Sequence, residues 1–116
     1  MIYVPDNAKN ILVNHSSGMD STLLIYKLLS ELKLSDKLDT VNIFISTGDE
    51  PLCDPYASSR SDKICKKLFD KFNTSYTRLK FTYTDGETKI PTFNRKTNEF
   101  KKENNINVFY RGITLS

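Results

Sequence analysis

Residues 10–29 read NILVNHSSGMDSTLLIYKLL, and their reading decides the fold. The apolar run Ile11, Leu12 and Val13, bounded by asparagines, is a short buried strand over Asn10–Asn14. From Asp20 onward, Leu23, Leu24, Tyr26, Leu28, Leu32 and Leu34 mix apolar and polar positions at helical spacing, with no Gly or Pro between them. A strand therefore feeds a helix through a loop of serines, one glycine and an aspartate. Gly18 in such a loop lets the backbone come close to a ligand, while unpaired amides and the dipole at the helix start favour an anion. The hydroxyls of Ser16, Ser17, Ser21 and Thr22 add donors around the same point. Phosphate is the natural guest. The plainer reading is a turn and a helix start, since Ser, Asp and Thr are also the preferred caps.

Downstream, the pattern repeats. Thr40–Ser46 (TVNIFIS) is a second strand, which Thr47, Gly48 and Asp49 close with turn chemistry before Pro51. In SSRSDKICKKLFDKF (residues 58–72), Ser58, Ser59 or Ser61 can cap a second helix whose Ile64, Leu68, Phe69 and Phe72 share a face. Thr77–Thr84 alternates as a half-exposed strand ended by Asp85-Gly86, and Asn107–Tyr110 is a last strand. Between them, residues 85–104 carry Ile90, Phe93 and Phe100 among many charged and amide side chains, and read as a polar excursion or flap. Its lysines 89, 96, 101 and 102 with Arg95 read first as a solvated loop. The second reading is a segment that tracks a nucleic-acid backbone, with Phe93 and Phe100 stacking bases.

The order βαβαβ-excursion-β predicts an α/β fold, a three-layer sandwich around a mostly parallel twisted sheet of about four strands. With 116 residues the chain is expected to form a single domain. In such sheets ligands sit beyond the carboxyl ends of the strands, where residues 14–22 lie. A net charge of +3 is too small to announce nucleic-acid binding. Cys53 and Cys65, twelve positions apart with His15 the single histidine, form no zinc or disulfide pattern and read as buried or idle thiols. The N-terminus lacks the features of a signal peptide and no apolar run is long enough for a membrane span, so the cytoplasm is the expected compartment. Ten asparagines and thirteen lysines against four arginines point to an AT-rich coding source, viral or low-GC bacterial.

Two familiar phosphate loops are excluded, because no glycine precedes Lys-Ser or Lys-Thr and no GxGxxG occurs. A hydrolase elbow, G-x-S-x-G, would need glycine at Asn14 and a histidine later than His15. Ser16-Ser17-Gly18-Met19-Asp20-Ser21 instead resembles the pyrophosphate loop (PP-loop), SGGxDS or SxGxDS, of the ATP pyrophosphatases, the adenine nucleotide alpha-hydrolase-like superfamily with its Rossmann-like fold. Phe44-Ile45-Ser46-Thr47-Gly48-Asp49-Glu50 is similar to the F-x-D-T-G-x-E strand end of the phosphoadenylylsulfate reductase-like branch, with Ser46 where that branch has aspartate. Gly112-Ile113-Thr114 is similar to the small-residue turn after the family's fourth strand.

The resemblance implies ATP and Mg²⁺ as cofactors and attack of a substrate oxygen on the α-phosphorus with release of pyrophosphate. It implies that Ser16, Ser17, Gly18, Ser21 and Thr22 hold phosphate oxygens, and that Asp20 and Ser21 serve catalysis. Adenine would rest against main chain near Val13, Asn14 and Ile45, and Asp20 and Asp49 would serve the metal. No cysteine follows Cys65, so no phosphoadenylylsulfate reductase activity is expected. Family members hold the acceptor substrate on further segments, and the acceptor of this chain is not specified. A non-catalytic nucleotide-binding or partner-binding module derived from the fold is therefore the alternative, and a homo-oligomer or a partner chain that completes the site is left open.

Overall fold

A computed structural model describes residues 3–16, 19–51, 54–83 and 89–111. Its elements run β1 (Asn10–Asn14), α1 (Met19–Leu34), β2 (Asn42–Asp49), α2 (Ala57–Lys71), β3 (Thr77–Thr82), α3 (Lys89–Glu103) and β4 (Val108–Arg111). The strands form one sheet in the order β3-β2-β1-β4, and every pairing is parallel. β1 therefore sits between β2 and β4, with Val13 opposite Ile45 on one side and Tyr110 on the other. The chain steps outward from β1 to β3, then crosses back to place β4 on the far side of β1, so the order reverses at β1.

Alternation along the strands divides the core into two layers. Ile11, Val13, Ile43 and Ile45 cluster with Ile25, Leu28, Leu29 and Leu32 of α1 and Cys65 and Phe69 of α2. On the opposite face, Phe81 of β3 meets Phe93 and Phe100 of α3 at ring-centroid distances of 6.4 and 6.2 Å, and Phe93 meets Phe109 of β4 at 6.4 Å. Two helices thus cover one face and α3 the other, the three layers that right-handed crossovers with a reversal at β1 require.

The third layer corrects the expectation for residues 85–104. Residues 89–103 are helical, because Phe93, Thr97 and Phe100 recur at spacings of four and three, and Pro91 lies in the first turn where its missing N–H is harmless. Phe93 is buried with its ring packed inward, and the half-buried Phe100 ring packs on Phe81. Lys101 of this region lies over the Phe109 ring, and Arg111 of β4 lies over the Phe93 ring.

β2 also departs from expectation: it continues through Thr47 and Gly48 to Asp49, where a turn was expected. Gly48 pairs with Phe81, and a Cβ at position 48 would lie 2.6–2.7 Å from carbons of the Tyr83 and Phe81 rings. Glycine here makes room for two aromatic rings over the strand end. All three helices end on an Asx residue in the left-handed region: Asp36 (φ 57°), Asn73 (φ 54°) and Asn105 (φ 54°). The amide after each one bonds back to the helix, Lys37 N to Leu32 O, Thr74 N to Phe69 O and Ile106 N to Lys101 O. These are Schellman closures made without glycine. Asp85-Gly86 and Gly112-Ile113-Thr114 lie outside the described residues.

Candidate functional site

At the carboxyl edge of the sheet a cleft of about 200 Å³ opens between the ends of β1 and β2. Asn14, His15 and Ser16 line it after β1, Gly48 and Glu50 at the end of β2, Asp54 and Ala57 at the entry to α2, and Tyr83 after β3. Its position follows from the parallel register, which brings Asn14 beside Ser46 and lets the chain leave the sheet just beyond. His15 N donates to Ser46 O at 2.9 Å and Thr47 Oγ1 donates to His15 O at 2.8 Å, so the first residue past β1 is still fixed to β2. On the α1 side, Ser16 N donates to Ser21 Oγ at 3.2 Å, and the two serine hydroxyls are also 3.2 Å apart. Ser16 is thereby tied to the first turn of α1.

Below the cleft lies a buried polar network that joins four elements. His15, fully buried, places Nε2 2.9 Å from Thr22 Oγ1 of α1 and Nδ1 2.5 Å from Ser61 Oγ of α2. Arg78 of β3 donates from Nη2 to Ser61 Oγ and from Nη1 to Thr47 Oγ1, each at 2.8 Å. Its Nε pairs with Asp62 Oδ1 at 2.7 Å, and Tyr76 OH donates to the same oxygen at 3.0 Å. Cys65 Sγ stands 3.8 Å from both Ser61 Oγ and His15 Nδ1. Burial, and secondly the Arg78 charge, pull the His15 pKa down to about 4, so the imidazole is neutral at physiological pH. Burial likewise raises the Cys65 thiol above its usual value, which makes it an inert packing group. Desolvation, reinforced by the bond to Asp62, pushes Tyr76 up to about 12.

No family model and no curated protein matches the sequence. Solved structures do match in shape. A universal stress protein in complex with cAMP superposes with a TM-score of 0.53 at 10% identity, over 87% of this chain and 73% of that one. The U34-tRNA thiolase NcsA from Methanococcus maripaludis, with its 4Fe-4S cluster, superposes with a TM-score of 0.57 at 18% identity, over 91% of this chain and 38% of the thiolase. The fold is adenine nucleotide alpha-hydrolase-like. Within the adenine nucleotide alpha-hydrolase-like fold of this chain, the cleft and the pinned Ser16–Ser21 junction occupy the sheet edge where the strand order reverses.

The structure distributes the sequence-derived site residues unevenly over this fold. Asn14 and Ser16 line the cleft, and Thr22 meets the His15 ring from the first turn of α1. Asp20 is exposed in that same turn. Ser17 and Gly18, the centre of the loop, lie outside the described residues. Ser21 is buried, 1% exposed, and its hydroxyl shapes the loop from beneath through Ser16. Val13 and Ile45 are both fully covered in the core layer under α1 and α2, with their backbones inside the parallel ladders. The residues that reach the cleft from those strands are Asn14, His15 and Gly48.

The Asp49 carboxylate is bonded within the fold. Its Oδ1 accepts from Ser58 N and its Oδ2 from Ser58 Oγ, both at 2.7 Å, so its carboxylate caps α2 across the chain. That role is taken from afar because Tyr56, the residue before α2, offers no side-chain cap. His15 and Arg78 are what the sequence reading missed as partners. The one signal available was chemical: a lone histidine directly after a buried strand and a lone arginine at an inward position of β3. Cys53 lies outside the described residues, while Cys65 is a buried free thiol. Among the described residues no helix is long and apolar enough to cross a membrane.

Proposed function

We propose that this chain is a nucleotide-binding domain that takes ATP at the junction of β1 and α1, with the base and sugar directed into the adjoining cleft. The observation that carries the reading is the convergence of Ser16, Ser21 and Thr22 at the first turn of a 16-residue helix, beside a cleft at the sheet reversal. A helix start offers unpaired N–H groups and positive potential to phosphate oxygens. Ser16 and the loop main chain through Ser17 and Gly18 hold those oxygens, and Thr22 adds a hydroxyl. Ser21 keeps the loop in shape. Support also comes from the two structural neighbours, one solved with cAMP and the other a tRNA thiolase.

Mg²⁺ fits this arrangement as an ion carried in with the phosphates. Magnesium keeps several waters and takes one or two carboxylates plus phosphate oxygens. Asp20, exposed in the first turn of α1, supplies such a carboxylate. Among the described residues no set of three acidic, histidine or cysteine side chains forms a metal cage of its own. The ion supplies charge neutralisation at the phosphates when bound, and Asp20 orients it.

In the catalytic form of the reading, an acceptor oxygen attacks the α-phosphorus, pyrophosphate leaves, and the donors of the β1–α1 junction stabilise the departing charge. In the binding-only form the same donors hold the nucleotide and no acceptor attacks it; the chain spans 38% of the thiolase it matches. Calorimetric titration with Mg-ATP tests the shared reading, with micromolar to millimolar binding expected and lost in Gly18→Val. Wild-type binding that Gly18→Val and Asp20→Ala leave intact would place the nucleotide elsewhere. Steady pyrophosphate release from labelled ATP would decide for turnover over binding alone.

A further inference from the structure

The nucleotide reading uses Thr22, whose hydroxyl meets the His15 ring, and His15 is itself held by residues from two other elements. The direction of each bond in this chain can be worked out from which groups carry protons. Arg78 has only donors, and its Nη2 gives a proton to Ser61 Oγ at 2.8 Å. Ser61 carries one hydroxyl proton and lies 2.5 Å from His15 Nδ1. The imidazole, buried and neutral beside a guanidinium, has one N–H and one bare nitrogen. With Ser61 already accepting from Arg78, the complementary arrangement is Ser61 O–H to His15 Nδ1. The ring proton then sits on Nε2 and is donated to Thr22 Oγ1 at 2.9 Å.

We propose that Arg78, acting through Ser61 and His15, is a positioning residue for the anion site at the start of α1. The relay Arg78 → Ser61 → His15 → Thr22 fixes the Nε2–H tautomer and with it the orientation of the Thr22 hydroxyl. Each bond points the same way, so the polarity of a half-buried cation in β3 is passed along successive hydrogen bonds to the helix start. With the opposite tautomer the bond between His15 and Thr22 would run the other way, from Thr22 Oγ1 to Nε2. Arg78 is firmly anchored, since its Nε holds Asp62 and its Nη1 holds Thr47, and the fork cannot swing away from Ser61 without giving up two partners. The small side chains of Ser61 and Cys65 on the buried stripe of α2 leave the space in which ring and guanidinium meet.

The proposal rests on the nucleotide-binding reading, and the test separates the two. Mg-ATP affinity is measured for wild type, Ser61→Ala, Thr22→Val and the double variant, with the protonated ring nitrogen of His15 identified by long-range ¹H–¹⁵N NMR. The wild type should show Nε2–H. Ser61→Ala and Thr22→Val should each weaken Mg-ATP about 5- to 10-fold, and the double variant no more than the weaker-binding single, because both cut one pathway. Arg78→Lys keeps the charge and loses the fork, so it should mix the tautomers while the fold persists, which guards against a variant that merely fails to fold. An Nδ1–H tautomer in the wild type, additive losses in the double variant, or Ser61→Ala binding within twofold of wild type would overturn the relay. No Mg-ATP binding by wild type would remove the nucleotide reading, and this role for Arg78 with it.

Discussion

Acidification should weaken this fold through one residue before its carboxylates matter. His15 is fully buried, bonded at both ring nitrogens, and its pKa is held at about 4 against an ordinary 6.5. Below pH 6.5 the unfolded chain takes up a proton at His15 that the folded chain refuses until pH is near 4. Stability is therefore undiminished above 6.5 and falls across the window from 6.5 to 4, by about 1.4 kcal/mol per pH unit and about 3 kcal/mol in all. The Asp54 carboxyl, held low by its bond to Arg60, loses its contribution only below the ordinary carboxylate range, which separates the two effects. Urea unfolding of wild type and His15→Gln at half-unit steps from pH 7.5 to 4.5 measures the difference. The variant should be less stable at pH 7 by roughly 1–3 kcal/mol for its broken bonds, and the two curves should approach each other as the pH falls. Parallel curves, or a His15 ring that titrates near 6.5 by NMR, would refute the reasoning.

Three further substitutions probe what positions the site. Gly48→Ala should destabilise by about 1–3 kcal/mol in denaturant unfolding, because its Cβ would press on the buried Phe81 ring, and it should also narrow the cleft to nucleotide. Phe93→Ala should lose about 3–5 kcal/mol, since the ring is buried against both Phe81 and Phe109, and amide exchange should show α3 opening before the other helices. At the left-handed end of α2, Asn73→Gly should be neutral or stabilising by up to about 1 kcal/mol, while Asn73→Val should destabilise by about 1–2 kcal/mol in thermal unfolding.

The sheet and its first two crossovers were legible because their apolar residues alternate or recur in ways one period describes. Asn10–Asn14 reads as a strand to the residue, and the helix after it begins one position before Asp20. α3 was hidden because only two of its described inward positions are large and apolar, while Thr92 and Thr97 complete the buried stripe with hydroxyls that no hydropathy pattern reports. Helix ends were hidden for a related reason: glycine is the usual mark, and here Asp36, Asn73 and Asn105 take the left-handed position. Of the site, the loop chemistry at Ser16 and Thr22 could be read locally. The partners of His15 could not, because Ser61 and Arg78 lie 46 and 63 positions further on in a chain whose register only folding fixes.

The end of β2 is also where fold and site become inseparable. Gly48, Asp49 and Glu50 look like a turn, yet Gly48 and Asp49 continue the ladder beside β3, and the three consecutive residues divide three roles. Gly48 yields its side-chain space to the Phe81 and Tyr83 rings and lines the cleft; Asp49 caps α2 through Ser58; Glu50 lines the cleft and bridges back to Asp54. Capping α2 fixes the axial position of the helix, and with it Ala57 at the cleft and Ser61 beneath it. The Asp49 carboxylate thus serves the site by setting where the helix begins. The same helix carries Ser61 to His15, so the register of β2, the start of α2 and the Thr22 contact form one mechanical unit.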